Sequence, residues 1–305
     1  MASQLTDQKP KTGIRVLIVG GGFGGLALAI ECHRQGHTPI IYEAHPQHKN
    51  LGDTLMFGPN GGRIIHRWSN GAVAAAMSRI SLNVRDTGFN VRKYDTGEII
   101  VNQKSNYRPD SPMFNGHRGE LHEILLGTAE PSSTPGYMKD VKEHVQGWDP
   151  LVWKIVSKTP EEKLSDWKLL YCDPLPSWVS GKHGRVCLLG DSAHPFLPTS
   201  AQGASQAMED AVTLAVVLRQ AGKGNVRAAL RAYQDIRYDR VKAVQKTGED
   251  KRDAWHEADW DEVRKDPTKV TWRYAGWILS HDAEKHAEEV GYDAIKKASL
   301  VRANL

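Results

Sequence analysis

Ile14-Arg15-Val16-Leu17-Ile18-Val19-Gly20-Gly21-Gly22-Phe23-Gly24-Gly25 is the stretch on which the fold turns. Its first half is β-branched and apolar, lies between Gly13 and a glycine cluster, and predicts a buried central strand. Downstream, Leu26, Leu28, Ala29, Ile30 and Cys32 give a helix its apolar side and Gly36 supplies a stop. Thr38-Pro39-Ile40-Ile41-Tyr42 then restarts an extended segment that ends at Glu43. Strand, turn, helix and strand in about thirty residues form one β-turn-α-β unit. Gly20, Gly22 and Gly25 satisfy G-x-G-x-x-G in the context that gives the pattern its meaning, after a strand and at the start of a helix.

Each glycine has a separate task. Gly20 permits the tight turn, Gly22 lets the backbone approach a pyrophosphate, and Gly25 lets the helix pack on the strand, while the helix N-terminus offers N–H donors and a positive dipole end. Glu43 follows Gly25 by 18 residues and is placed to accept from ribose hydroxyls. A carboxylate there disfavours a 2′-phosphate, so the expected ligand is FAD or NAD rather than NADP at this site.

Further along the chain, Ile64, Ile65, Trp68, Val73 and Ala76 predict a helical stretch from Asn60 to Met77, broken near Gly71. Phe89 to Val101 alternates like a hairpin turning at Asp95-Thr96-Gly97, and a helix follows over Gly119 to Leu126. The polar stretch Gly127 to Gly147 reads as a linker or shortened loop, and Trp167 to Tyr171 as a strand within a tryptophan cluster that includes Trp148, Trp153 and Trp178. Arg185-Val186-Cys187-Leu188-Leu189 predicts a second buried strand. Gly203 to Gln220 predicts a helix whose inner face uses Ala207, Met208, Ala211, Leu214, Ala215 and Leu218. From Gly224 onward the pattern is one of charged amphipathic helices, with Trp255, Trp260, Trp272 and Trp277 as packing anchors.

Composition removes several function classes. The 305 residues carry 40 Lys and Arg against 36 Asp and Glu, a net +4 without a basic arm or stripe, which argues against nucleic acid as a partner. Three cysteines, Cys32, Cys172 and Cys187, show neither CxxC nor Cys/His ligand spacing, so a disulfide scaffold and a structural zinc site are both unsupported. Residues 1–13 lack the apolar core of a signal peptide, and no run reaches the roughly 20 apolar residues of a membrane span, which predicts a cytoplasmic protein without membrane attachment. His33 and His37 read as surface histidines, Cys187 as a core strand residue, and Asp191 with His194 as a capping pair rather than a metal fragment.

The predicted strand at 185–189 runs into Gly190-Asp191-Ser192-Ala193-His194-Pro195, followed by Pro198 and by Gln202-Gly203-Ala204-Ser205-Gln206 at a helix start. This is a second loop-to-helix anion site, which one NAD would not need. Here the sequence resembles the class A flavoprotein monooxygenases, the aromatic hydroxylase family of salicylate hydroxylase and p-hydroxybenzoate hydroxylase, and within it the fungal FAD-dependent members of secondary metabolism. The resemblance implies an α/β fold: a Rossmann-like, glutathione-reductase-type FAD-binding domain with a reduced substrate domain and a helical C-terminus. It assigns residues 14–126 to the first part of the FAD-binding domain and 127–181 to a shortened substrate-domain segment. Residues 182–230 become the second part of the FAD-binding domain, and 231–305 the C-terminal helical region.

The resemblance also carries roles. Asp191 matches the aspartate on the ribityl chain, Pro195 and Pro198 the loop beside the isoalloxazine ring, and the helix from Gly203 and Ala204 points its N-terminus at the flavin pyrimidine edge. Those donors would stabilise negative charge on reduced flavin. Gly116-His117-Arg118-Gly119-Glu120-Leu121-His122 resembles the family's arginine helix, which gives Arg118 a cofactor contact, and Gly52-Asp53 with Pro59-Asn60 resembles its loop near the flavin. The implied reaction uses FAD reduced by NAD(P)H, O₂, and an aromatic or polyketide-like small molecule that is hydroxylated. The sequence departs from the family between Arg118 and Asp191, only 73 positions apart: no Asp-Gly dipeptide occurs anywhere in the chain, and much of the substrate sheet has no counterpart. No catalytic base can therefore be carried over, and Tyr137, Tyr171 and Arg108 are no more than conceivable stand-ins. Two alternatives follow, a flavin-binding remnant without hydroxylase activity and a flavin oxidase or dehydrogenase.

Overall fold

The structure is a computed structural model that describes residues 8–43, 54–82, 88–104, 108–126, 134–135, 150, 165–166, 172–181, 184–271 and 274–300. Gly52, Asp53, Tyr137, Trp148, Trp153, Trp272, the segment 167–171 and most of 127–147 lie outside the described residues.

The opening unit forms as its pattern requires. β1 (Arg15–Val19) pairs in parallel with β2 (Thr38–Tyr42), Ile18 opposite Ile41, and α1 (Phe23–Arg34) is the crossover. Gly36, at φ +80, ends α1 by turning the chain left-handed, so that the His37 N–H reaches back 2.8 Å to the Cys32 carbonyl. α1 buries Leu26, Ala27, Leu28, Ala29 and Cys32. Its buried Glu31 accepts from Arg34 at 2.7 Å and from Trp68 Nε1 at 2.7 Å, which fastens α1 to the next helical pair. That pair, α2 (Pro59–Arg67) and α3 (Ala72–Ile80), is broken where predicted: Ser69, Asn70 and Gly71 have φ of 49, 54 and 84 between them.

β3 (Thr54–Phe57) pairs antiparallel with β6 (Phe114–His117), which runs straight into α4 (Arg118–Leu126). β4 (Phe89–Arg92) and β5 (Ile99–Gln103) form the predicted hairpin. Two-residue strands at Thr134–Pro135 and Ser165–Asp166 also pair. The core sits around α5 (Gly203–Ala221), packed by α1, α2, α6 (Val226–His256) and α9 (Ala283–Leu300). The six residues predicted for its inner face are buried, and so is every other residue from Ser205 to Leu218, because neighbours close on it from all sides. Two short helices, α7 (Trp260–Lys265) and α8 (Gly276–Leu279), complete the helical C-terminus. No described helix is long and apolar enough to cross a membrane.

Four expectations are corrected. β1 is not buried on both faces: Ile18 is 5% exposed but Leu17 is 60% and Val19 90% exposed, since among the described residues β1 pairs only with β2 and its second face meets no packing layer. Arg185–Leu189 does not join a sheet. It folds back on 178–180 through Ser180 N–H to the Val186 carbonyl and Leu188 N–H to the Trp178 carbonyl, both 2.9 Å, which leaves Cys187 only half-buried. His37 is a buried cross-link rather than a surface residue, with Thr12 Oγ1 at 2.7 Å and the Ala215 carbonyl at 2.9 Å. Trp277 is 47% exposed beneath Arg240, whereas Trp255 donates to the Val270 carbonyl and is half-buried.

The exposure of β1 has a simple test in denaturant. Ile18→Ala is expected to cost about 2–4 kcal/mol, and Val19→Thr to stay within about 0.5 kcal/mol. Equal costs in urea unfolding would place a packing layer over Val19.

Candidate functional site: a glycine loop and a cleft

The glycine loop has the geometry of a ligand cradle. Gly20 sits at φ +98, and a Cβ on Gly25 would lie 2.1 Å from the Gly20 carbonyl oxygen, so the helix can approach the strand only without a side chain there. A Cβ on Gly22 would meet no atom within 4 Å, which leaves that side of the loop open. Both ends of the Gly21 residue are held. Its N–H donates to Glu43 Oε2 at 2.6 Å, and its carbonyl accepts from His122 Nε2 on α4 at 2.7 Å. Glu43 therefore reaches the loop from the end of β2 and grips the loop backbone, a contact that the pattern did not reveal. No side chain caps α1, which leaves its first N–H groups without a side-chain partner at the loop.

The second loop lies across the core. Gly190, at φ +64, starts a single turn of 3₁₀ helix, Gly190–Ser192, that turns Asp191 toward a cleft of about 880 Å³. Asp191 and Ala204 both line this cleft. Removal of water raises the Asp191 carboxyl above the ordinary aspartate range, and the charges of His194 and Arg118 pull it back. Arg118, the first residue of α4, lies with its guanidinium carbon 5.7 Å from the centre of the Phe23 ring. The structure thus brings Arg118 within electrostatic reach of Asp191 and links both loops through Phe23. α5 begins at the cleft without a side-chain cap.

Apolar walls dominate the cleft. Met56 from β3, Phe89 from β4, Phe196, Pro198, Tyr274 and Leu279 surround it, and Asp191 and Lys104 are the charged residues among those lining it. Arg108, conceivable as a catalytic stand-in, is instead paired on the surface with Asp110 at 3.1 Å. Burial pushes the Cys187 thiol up to about 12, which leaves it a poor nucleophile. No group of three His, Cys, Asp or Glu with metal-site geometry occurs among the described residues.

Sequence reasoning placed Asn60 near the flavin but missed the buried polar layer that it joins, Glu209, Asp210 and Arg237. The available signal was Glu209-Asp210 inside an otherwise apolar helix. It also missed the C-terminal wall, Tyr274 and Leu279, whose proximity no local pattern encodes.

Residues 178–247 match the family model described as FAD binding domain, and residues 18–48 the model described as NAD(P)-binding Rossmann-like domain. Both matches are to flavin- or dinucleotide-binding models, and the chain is similar to fungal FAD-dependent monooxygenases. Its cofactor is FAD, with NAD(P)H as reductant, and the residues present fit that group: an open glycine cradle and two uncapped helix N-termini. Among curated relatives it is similar to Asperlicin C monooxygenase of Petromyces alliaceus, 27% identical over 90% of this chain and 88% of that one. It is 29% identical to FAD-dependent monooxygenase notI' of Aspergillus versicolor over 91% of this chain and 92% of the other. The alignment with the asperlicin enzyme spans 410 positions, exceeding the chain's own 305 residues by more than a hundred, so the relative holds segments that this chain lacks. The fold resembles CtdE in complex with FAD and substrate 4, at a TM-score of 0.82 and 24% identity over 94% of this chain and all of that one. A salicylate hydroxylase substrate complex superposes with a TM-score of 0.67 at 16% identity over 91% and 98% of the two chains.

Proposed function

We propose that this monooxygenase hydroxylates an aromatic or polyketide-like small molecule of secondary metabolism in the cleft between β3, β4 and the start of α5. FAD is held by Gly20, Gly22, Gly25, Glu43, Arg118, Asp191 and Ala204. The cleft carries the reading: it is large enough for a flat ring system, its walls are apolar, and an uncapped helix opens into it. FAD, reduced by NAD(P)H, supplies the activation of O₂. The chain supplies the rest. Uncapped N–H groups of α5 favour negative charge at the cleft floor, Asp191 offers a carboxylate to hydroxyl groups, and Met56, Phe89 and Phe196 exclude water around the reacting ring. The division into 14–126 and 182–230 for FAD, 127–181 for a shortened substrate segment and 231–305 for the helical C-terminus belongs to the same proposal.

The test is the visible spectrum of purified protein reconstituted with FAD, followed by anaerobic NADPH and NADH. A flavin band that bleaches with nicotinamide, and NAD(P)H consumption accelerated by an aromatic substrate with oxygen incorporated in the product, are expected. The lack of any Asp-Gly dipeptide, together with the exposed face of β1, favours a second reading, a flavin-binding remnant without hydroxylase activity. A stable band that nicotinamide leaves unbleached would select it.

A further inference from the structure

The residues just assigned to FAD lie on loops, and what fixes those loops is a buried ionic layer on one helix. Glu209 and Asp210 are adjacent on α5 and fully buried. Their partners diverge. Glu209 Oε1 accepts from Asn60 Nδ2 at 2.7 Å, at the start of α2, where Gly58 and Pro59 line the cleft. Asp210 Oδ2 accepts from the Gly190 N–H at 3.0 Å and from His194 Nε2 at 2.6 Å, on the two sides of Asp191. Arg237 of α6 spans the pair, 2.5 Å from Glu209 Oε2 and 2.8 Å from Asp210 Oδ1, and Arg240 adds contacts to Glu209 at 2.7 and 2.8 Å.

Stability alone does not account for this layer. Desolvating two neighbouring carboxylates and a guanidinium costs several kcal/mol per ion, and well-packed apolar side chains of the same volume hold a core equally well. What apolar side chains cannot do is fix a loop by its N–H groups and side-chain amides. Asp210 is held ionised, against the opposing effect of its burial, by His194 and Arg237. An ionised Asp210 accepts from His194 Nε2 as well as from the Gly190 N–H, so the residue fixes both the backbone and the imidazole ring of the Asp191 loop.

We propose that Glu209 and Asp210 are positioning residues for the flavin chemistry, each fixing a different wall of the cleft: Glu209 the Gly58–Asn60 turn and Asp210 the Gly190–His194 turn. The inference rests on the assignment of FAD to this cleft. Two adjacent side chains thereby hold loops that are about 130 residues apart in sequence, and Arg237 couples them.

The test crosses two variants with two segments. Amide hydrogen exchange is measured on the cofactor-free chain, and FAD dissociation constants on the reconstituted one, for wild type, Glu209→Gln and Asp210→Asn. Glu209→Gln is expected to raise exchange in residues 58–62 but not 190–195, Asp210→Asn the reverse, and each to weaken FAD at least tenfold. Ile295→Ala, a core truncation in α9, is the control: comparable loss of Tm with unchanged FAD affinity. Should a carboxylate variant fail to fold, Asn60→Leu and His194→Leu cut the same contacts from the loop side. Uniform exchange increases, or FAD bound as in wild type, overturn the positioning role alone. A wild type that takes up no FAD overturns this role and the proposed function together.

Discussion

Gly22→Ala is expected to fold like the wild type and to lose FAD. The residue sits at φ −64 and ψ 177, extended backbone open to alanine, and the added methyl meets no protein atom within 4 Å. Stability should therefore remain within about 0.5 kcal/mol of wild type. The methyl instead occupies the open side of the loop, where a pyrophosphate approaches the backbone. We expect a loss of about a hundredfold in FAD affinity, roughly 2.8 kcal/mol. Gly25→Ala provides the contrast, because its methyl would lie 2.1 Å from the Gly20 carbonyl oxygen and 3.2 Å from Ile18 Cγ2. Backbone must move, at about 3 kcal/mol, so this variant should lose both Tm and cofactor. Thermal unfolding and FAD titration separate the two effects, and a Gly22→Ala protein that binds FAD as tightly as wild type would move the cofactor away from the glycine loop.

Arg237→Met is expected to be the most destabilising single change in the core, at about 3–5 kcal/mol. The substitution keeps most of the volume but leaves Glu209 and Asp210 side by side and buried without their shared cation. The effect is tied to pH. In the folded chain Arg237, with Arg240 at Glu209 and His194 at Asp210, holds both carboxyls below their ordinary values of 4.5 and 3.8 despite burial. A carboxyl lowered by folding contributes stability that is complete above its unfolded pKa and disappears as the pH falls toward the folded one. Wild-type stability should thus decline below about pH 5, and the decline should be shallower in Arg237→Met. Urea unfolding from pH 7 to pH 3.5 measures both, and parallel curves would mean that Arg237 does not hold these carboxyls ionised.

Neighbouring residues sufficed to reveal the β-turn-α-β unit, the broken helix around Gly71, the hairpin at 89–101, and the long helices from Gly203 onward. Each is a local matter: glycine at a required φ, a period of two or of 3.6, a stop residue. The glycine loop was legible for the same reason, since Gly20, Gly22 and Gly25 act within six consecutive residues. Only the tertiary structure decided what covers each element. Val19 and Ile18 are equally apolar, yet one faces solvent and the other the core, because a strand's burial depends on layers supplied from elsewhere in the chain. Residues 185–189 have strand chemistry but pair with 178–180, the nearest available edge. The ionic layer was invisible for the most physical of reasons. A glutamate and an aspartate on a helix belong at the surface unless a cation is buried with them, and Arg237, 27 residues beyond Asp210, meets them only when α6 folds back on α5.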